Sequence, residues 1–191
     1  MLRCLKTDYI DFGLLFFMDK HGDIDAALDN GIVDYARKLQ QQGKIRAIGA
    51  STHSPATARR LVDEGLVAML MFSINPAFDM LPGSGSIESM IGEFSAQVTQ
   101  VDPERSELYR LCQKKGVGIT VMKSLAAGKL LSAEHTPFAT PMSPWQCMHY
   151  ALTRPAVASA LVGCRNREEV EAAVRYVALS DEERDYTAAV S

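Results

Sequence analysis

The chain has 191 residues, 47% of them hydrophobic and 23% charged, with a net charge of −3, which suits one domain or slightly more with a sizeable core. That balance favours neither nucleic acid nor an anionic membrane, no apolar run approaches the roughly 20 residues that span a bilayer, and the start, MLRCLKTDYID, lacks a signal-peptide core; a cytoplasmic globular protein is expected. Cys4, Cys112, Cys147 and Cys164 lie far apart with no C-x-x-C and no histidine at ligand spacing, so they read as reduced thiols on buried faces, and this chain alone is expected to hold no metal.

In chain order, residues 9–18 (YIDFGLLFFM) form a continuous apolar run ending at Asp19, which predicts a strand buried on both faces, as in a parallel sheet. After DKHGD, a helix carries Ile24, Leu28, Ile32, Tyr35, Ala36 and Leu39 at helical spacing, with Asn30-Gly31 as an interruption. Gly43 stops it. The strand IRAIGA (45–50) then presents Ser51, Thr52 and His53 at its C-terminal tip, where α/β barrels and open sheets place their chemistry. Ser54-Pro55 opens a helix with Ala58, Leu61 and Val62 that stops at Gly65, and residues 66–74 read as the third strand.

Beyond Asn75-Pro76 the periodicity is lost. Residues 81–101 read as a long excursion loop with one short helix near 87–94; loops of this length are usually functional or mobile. Asp102-Pro103 starts the next helix, with Leu108, Leu111 and Cys112 inside and Lys114-Lys115-Gly116 closing it. Residues 117–122 are the fourth strand, followed by KSLAAGKLL. Ser143-Pro144-Trp145-Gln146 is a capping box for a helix holding Met148, Ala151 and Leu152, with Trp145 assigned to core packing. Residues 157–162 are the fifth strand. Asn166 and Glu169 cap a helix expected to bury Val170, Ala173, Val174 and Val177, and LSDEERDY begins a further one.

Five strands, each followed by a helix, imply parallel pairing with right-handed crossovers. A complete eight-unit barrel typically needs about 250 residues. An open doubly wound sheet fits the strand count, but its first βα turn would want a Gly-rich phosphate fingerprint, and FFMDKHGD has none.

TDYID with its apolar run, GKIRAIGAST, SINP, GVGITVMKSLAAGKLL and TRPAVASALVGCRNREEVEAAV, in that order from about residue 5 to 179, resemble the aldo-keto reductases. The closest match is to the branch that usually carries a ferredoxin-like, cysteine-rich C-terminal extension. The resemblance implies an α/β fold, a partial (β/α)8 TIM-type barrel made of strands four to eight with their helices. It further implies a single domain over residues 1–191, truncated at its N-terminus, so that the family's catalytic Asp, Tyr and Lys lie upstream of this chain and the extension downstream. The family's catalytic His at the tip of strand four falls on Phe16, which can neither donate nor accept the hydrogen bond that polarises a carbonyl. His21 reads as a solvated loop residue, and no catalytic residue is expected in the chain.

Cofactor-facing positions match better. Ser51 and Thr52 fall where the family holds the nicotinamide carboxamide, with His53 beside them; helix entry is an equally weighted reading of the same two residues. The family's strand-six glutamine falls on Met71. Lys123, Ser124, Leu125 and Gly128 occupy the loop laid over the pyrophosphate, Lys123 alternatively being a solvated strand-end lysine. Gly163, Arg165, Asn166 and Glu169 match the segment that grips the adenosine phosphate; Asn166 and Glu169 are fully explained as a cap, so only Arg165 carries extra functional weight.

The activity implied is reduction of a small-molecule carbonyl by hydride from NADPH in the intact parent, with the fragment inactive and at most a weak cofactor binder. Two alternatives stand beside it: a non-catalytic nucleotide- or partner-binding barrel that has lost its acid, and an unrelated (β/α)8 enzyme such as a lyase. An open barrel leaves apolar edges at its first and last strands, so self-association is expected.

Overall fold

In the computed structural model, which describes residues 2–80, 94 and 100–190, the apolar segments become five strands of one sheet in the order β1-β2-β3-β4-β5. They are β1 (Ile10–Leu15), β2 (Ile45–Thr52), β3 (Met69–Ser73), β4 (Gly118–Met122) and β5 (Val157–Ala160). Every neighbouring pair is parallel. Sequence neighbours are sheet neighbours throughout, so the strand-order reversal of a doubly wound sheet is absent. This is the connectivity of part of a (β/α)8 barrel.

The helices are α1 (Leu2–Leu5), α2 (Asp23–Asp29), α3 (Ile32–Gln41), α4 (Pro55–Asp63), α5 (Pro76–Met80), α6 (Pro103–Lys115), α7 (Pro144–Leu152), α8 (Arg167–Val174) and α9 (Asp181–Arg184), with 3-10 segments at Ala126–Leu131 and Arg175–Ala178. Their starts follow local chemistry. Ser54 Oγ accepts from the Thr57 N–H at 3.2 Å, Asp102 Oδ1 from Glu104 at 2.8 Å and Asn166 Oδ1 from Glu169 at 2.9 Å, and Ser143 with Gln146 completes a reciprocal capping box. Gly43, Gly65 and Gly116 take φ of 70°, 66° and 69° where the helices were predicted to stop.

The core lies between the middle strands and their helices. Leu70, Phe72, Ile119 and Val121 belong to one buried cluster with Leu61 and Val62 of α4, Leu108 and Cys112 of α6 and Ala151 of α7. Each large side chain removed from water there contributes about 1.5–3 kcal/mol. A second cluster of Phe78, Leu130, Phe138, Met142 and Cys147 involves α5, the β4–α7 connection and α7.

Several expectations about burial are corrected by the sheet's two open sides. The 9–18 run does not give a strand buried on both faces. β1 stops at Leu15 and pairs only with β2 among the strands, so Phe12 is exposed, and Phe16 beyond the strand is 79% exposed. α8 does not bury its apolar face: Val170 and Val174 are exposed, Val174 to 61%, and so is Val177 in the 3-10 segment that follows. The helix expected from Ile24 to Leu39 is two helices. Gly31, at φ 77°, breaks it and resets its phase, so Val33 is buried while Ile32 and Tyr35 face outward.

Trp145 is only half-buried, with the Arg175 guanidinium 5.4 Å over its ring, rather than part of the core. Cys112 and Cys147 are buried, as expected, but Cys4 is exposed and Cys164 intermediate; all four are free. The excursion at 81–101, with its expected helix at 87–94, lies mostly outside the described residues. Its base is visible: the Asp102 N–H donates to the Asp79 carbonyl at 2.7 Å.

Candidate functional site

The C-terminal ends of the strands carry most of the polar chemistry, beginning where β1 meets β2. The Met18 N–H donates to the Ser51 carbonyl at 2.8 Å, and the Phe17 N–H donates to Ser51 Oγ at 2.8 Å. Phe17 is held at φ 60°, a conformation that costs a bulky side chain energy and persists only where its surroundings enforce it.

The next residue but one, Asp19, closes the junction. Its Oδ1 accepts from Thr52 Oγ1 at 3.0 Å and from the His53 N–H at 2.7 Å, and its Oδ2 lies 2.8 Å from His53 Nδ1. Burial alone would push the Asp19 carboxyl up. The His53 amide and imidazole, with the Thr52 hydroxyl, outweigh this and hold it below the usual carboxylate range. Ser51, Thr52 and His53 are all buried. Thr52 Oγ1 also accepts from the Ser54 N–H at 3.1 Å, so this hydroxyl serves helix entry and the Asp19 clasp together.

At the tip of β3, Asn75 is buried and stitches two strand ends. Its Nδ2 donates to the Lys123 carbonyl at 2.8 Å and its Oδ1 accepts from the Phe78 N–H at 2.9 Å. Met71 lies earlier on β3 and is half-buried. Behind this tip Asp79, fully buried, accepts from Arg105 Nε (2.7 Å), Tyr109 Oη (2.7 Å) and Tyr150 Oη (2.9 Å). Arg105 also donates to the Ser73 carbonyl and stacks 4.9 Å over the Phe72 ring.

The loop after β4 is the most strained backbone in the described chain. Lys123, Ala126 and Ala127 take φ of 59°, 48° and 57°, and Gly128 takes 91°; such outliers cluster at ligand sites. Burial lowers the Lys123 ammonium below its ordinary range, and Asp19 is the charge that opposes this, so the tips of β1 and β4 are electrostatically coupled. Ser124 is buried and its Oγ has no hydrogen-bond partner, while Leu125 and Gly128 are half-buried beside it.

After β5, Gly163 is exposed and Arg165 is 89% exposed. The Arg165 guanidinium is engaged by Glu169, with Nη2 and Nε 2.7 and 3.0 Å from Oε1, and its N–H donates to Oε2 at 2.7 Å. The structure therefore brings Ser51, Thr52, Lys123 and Ser124 to the strand ends with Asp19 among them. It places Arg165 and Asn166 in a cap that would have to exchange Glu169 for a phosphate.

Sequence reasoning missed Asp19, Asn75 and Asp79. The signal for Asp19 was a carboxylate closing an apolar run, followed by an imidazole at the next strand's tip. Among the described residues no group of three or more His, Cys, Asp or Glu side chains could hold a metal ion, and no helix is long and apolar enough to cross a membrane.

Residues 1–149 match the Aldo/keto reductase family. No curated protein sequence matches the chain significantly. Among solved structures, the chain resembles the aldo-keto reductase AKR11C1 from Bacillus halodurans in its apo form, with 25% identity and a TM-score of 0.65 over 96% of this chain and 62% of that one. The holo form gives 23% identity and a TM-score of 0.64 over 96% and 59%. An aldo/keto reductase from Klebsiella pneumoniae, solved with NADP and acetate, gives 22% and 0.60 over 95% and 59%. This chain thus spans about three fifths of those proteins. Similarity at the 22–23% level speaks for the fold alone; the family assignment rests on the match over residues 1–149, and by it the chain belongs to the aldo/keto reductase family.

Proposed function

We propose that this chain is the C-terminal five βα units of an NADPH-dependent carbonyl reductase, in the branch that usually carries an iron–sulfur extension. On this reading it forms one domain over residues 1–191, truncated at the N-terminus, with 81–101 as an excursion within it, and works in the cytoplasm. The observation that carries the reading is the junction at the C-terminal strand ends, where Asp19 bonds buried Thr52 and His53 and opposes the loss of charge on half-buried Lys123, with buried Ser51 and Ser124 next to Thr52 and Lys123 in the chain.

These residues suit a dinucleotide. Ser51 and Thr52 would face the nicotinamide end, and Lys123, Ser124, Leu125 and Gly128 the pyrophosphate, where a partly desolvated ammonium meets a dianion. Gly163, Arg165 and Asn166 would face the adenosine phosphate. The cofactor supplies the hydride; the proton for the carbonyl oxygen would come from residues of the missing units, so the isolated chain is inactive. Its open β1 and β5 sides, with Phe12, Leu161, Val170 and Val174 exposed, would be covered in the parent and support self-association of the isolated chain.

A second reading, a barrel that binds a nucleotide or partner without catalysis, is favoured by one observation: Phe16, at the position of the family's histidine, is an exposed side chain with no hydrogen-bonding atom.

Fluorescence titration of NADPH and NADH against the chain and its Arg165→Lys variant tests the cofactor. Weak binding that prefers NADPH, with the preference reduced in the variant, is expected, because lysine lacks the bidentate fork. Equal binding of both nucleotides, unchanged in the variant, would remove Arg165 from the site.

A further inference from the structure

Most polar side chains at the strand ends are already engaged within the protein. Thr52 Oγ1 donates to Asp19 and accepts from Ser54. Ser51 Oγ accepts from Phe17. Two buried atoms at that end of the sheet have no partner: His53 Nε2 and Ser124 Oγ. A buried polar atom left without a partner costs about 1–3 kcal/mol, so each calls for a reason to be there.

For His53 the chemistry of the vacant nitrogen follows from the opposite side of the ring. An ionised carboxylate is an acceptor only. Asp19 Oδ2, 2.8 Å from Nδ1, therefore requires the proton on Nδ1, and in the neutral ring Nε2 is then a lone-pair acceptor. The ring cannot swing away easily. The His53 N–H is bound to the same carboxylate, and the Phe17 ring stands edge-on at 5.8 Å and 66°. Phe17 is itself 42% exposed, so it covers one side of the imidazole, and a ligand that displaced its ring would meet an acceptor already oriented.

On the reading above, in which a nicotinamide nucleotide occupies this face, the geometry points to His53 as a further binding residue, with Nε2 accepting an N–H from the nicotinamide carboxamide and Asp19 as the positioning residue that fixes its tautomer. Thr52 lacks a free hydrogen to offer, whereas the adjacent imidazole has a free lone pair. The primary amide carries two N–H donors and so supplies what Nε2 lacks.

Long-range proton–nitrogen spectra of the chain labelled with 15N-histidine test this, with His53 assigned by loss of its signals in His53→Gln. In the free wild-type chain His53 should show the Nδ1–H tautomer. Asp19→Asn substitutes an NH2 donor opposite Nδ1 and should invert the ring to the Nε2–H tautomer, a signature that a merely structural role for Asp19 would not produce.

NADPH at saturating concentration should shift the wild-type Nε2 signal upfield, and 2′,5′-ADP, which lacks the nicotinamide, should not. The Gln variant should bind NADPH about 10-fold more weakly with its affinity for 2′,5′-ADP unchanged. An Nε2–H tautomer in the free wild type, an unmoved Nε2 signal in a chain that demonstrably binds NADPH, or equal shifts from both nucleotides would overturn the assignment while leaving the cofactor reading in place. No binding of either nucleotide by fluorescence would overturn both.

Discussion

Replacing Asp79 with Asn should be among the most damaging single-atom changes available in this chain. The carboxylate is fully buried, and it is the counter-ion of Arg105, itself only 1% exposed. It also accepts the hydroxyl hydrogens of Tyr109 and Tyr150, so α5, α6 and α7 converge on one side chain. Removing one partner of a buried ion pair costs about 3–5 kcal/mol, because the other charge stays buried and uncompensated. For a chain of this size each kcal/mol lowers Tm by about 2–4 °C, so Asp79→Asn should melt about 6–20 °C below wild type in a circular-dichroism scan. The double variant Asp79→Leu/Arg105→Met removes both charges and should recover about 0.5–3 kcal/mol relative to the sum of the single changes Asp79→Leu and Arg105→Met in urea unfolding. If Asp79→Asn stays within about 1 kcal/mol of wild type, or the double variant is simply additive, the network is not the tie described here.

Three further outcomes are expected. Asp19 has a depressed native pKa, so its contribution to stability is complete above the ordinary carboxylate value of about 4 and is lost as pH falls through the native value; Asp19→Ala should flatten the acid limb of a Tm-against-pH curve, and an unchanged limb would count against the clasp. Burial pushes the Cys112 and Cys147 thiols up to about 12, so a thiol reagent at neutral pH should label Cys4 and Cys164 in the native chain and reach the other two only on unfolding, as mass spectrometry of the labelled peptides would show. Sedimentation at micromolar concentration should find dimers or larger species held by the β1 and β5 sides, whereas a monomer with a cooperative melt would speak against an incomplete barrel.

What could be read in the sequence was governed by how locally each feature is determined. The caps at Ser54, Asp102, Ser143 and Asn166 and the stops at Gly43, Gly65 and Gly116 depend on atoms within four residues, and each stands where its residues placed it. Strand identity followed from apolar runs between those punctuation points. Burial was legible only where neighbours exist on both sides: Phe72 and Val121 sit inside the sheet, but Phe12 and Val174 have the same composition and face outward. At the candidate site, the places of Ser51 and Lys123 at strand ends were legible from the apolar runs that precede them, while Asp19 meets Thr52 and His53 from 33 and 34 residues away and Asp79 meets Tyr150 across 71. Separations of that kind are set by topology and carry no local signature.

On the proposed reading, this aldo/keto reductase chain carries the cofactor-binding side of a barrel without its proton-donating side. A single time-resolved record of NADPH fluorescence, with the purified chain present and an aldehyde added midway, tests both halves at once. A bound-cofactor signal that stays constant after the aldehyde is added is expected. No signal change on mixing chain and NADPH would contradict the first half, and a steady aldehyde-dependent loss of NADPH would contradict the second.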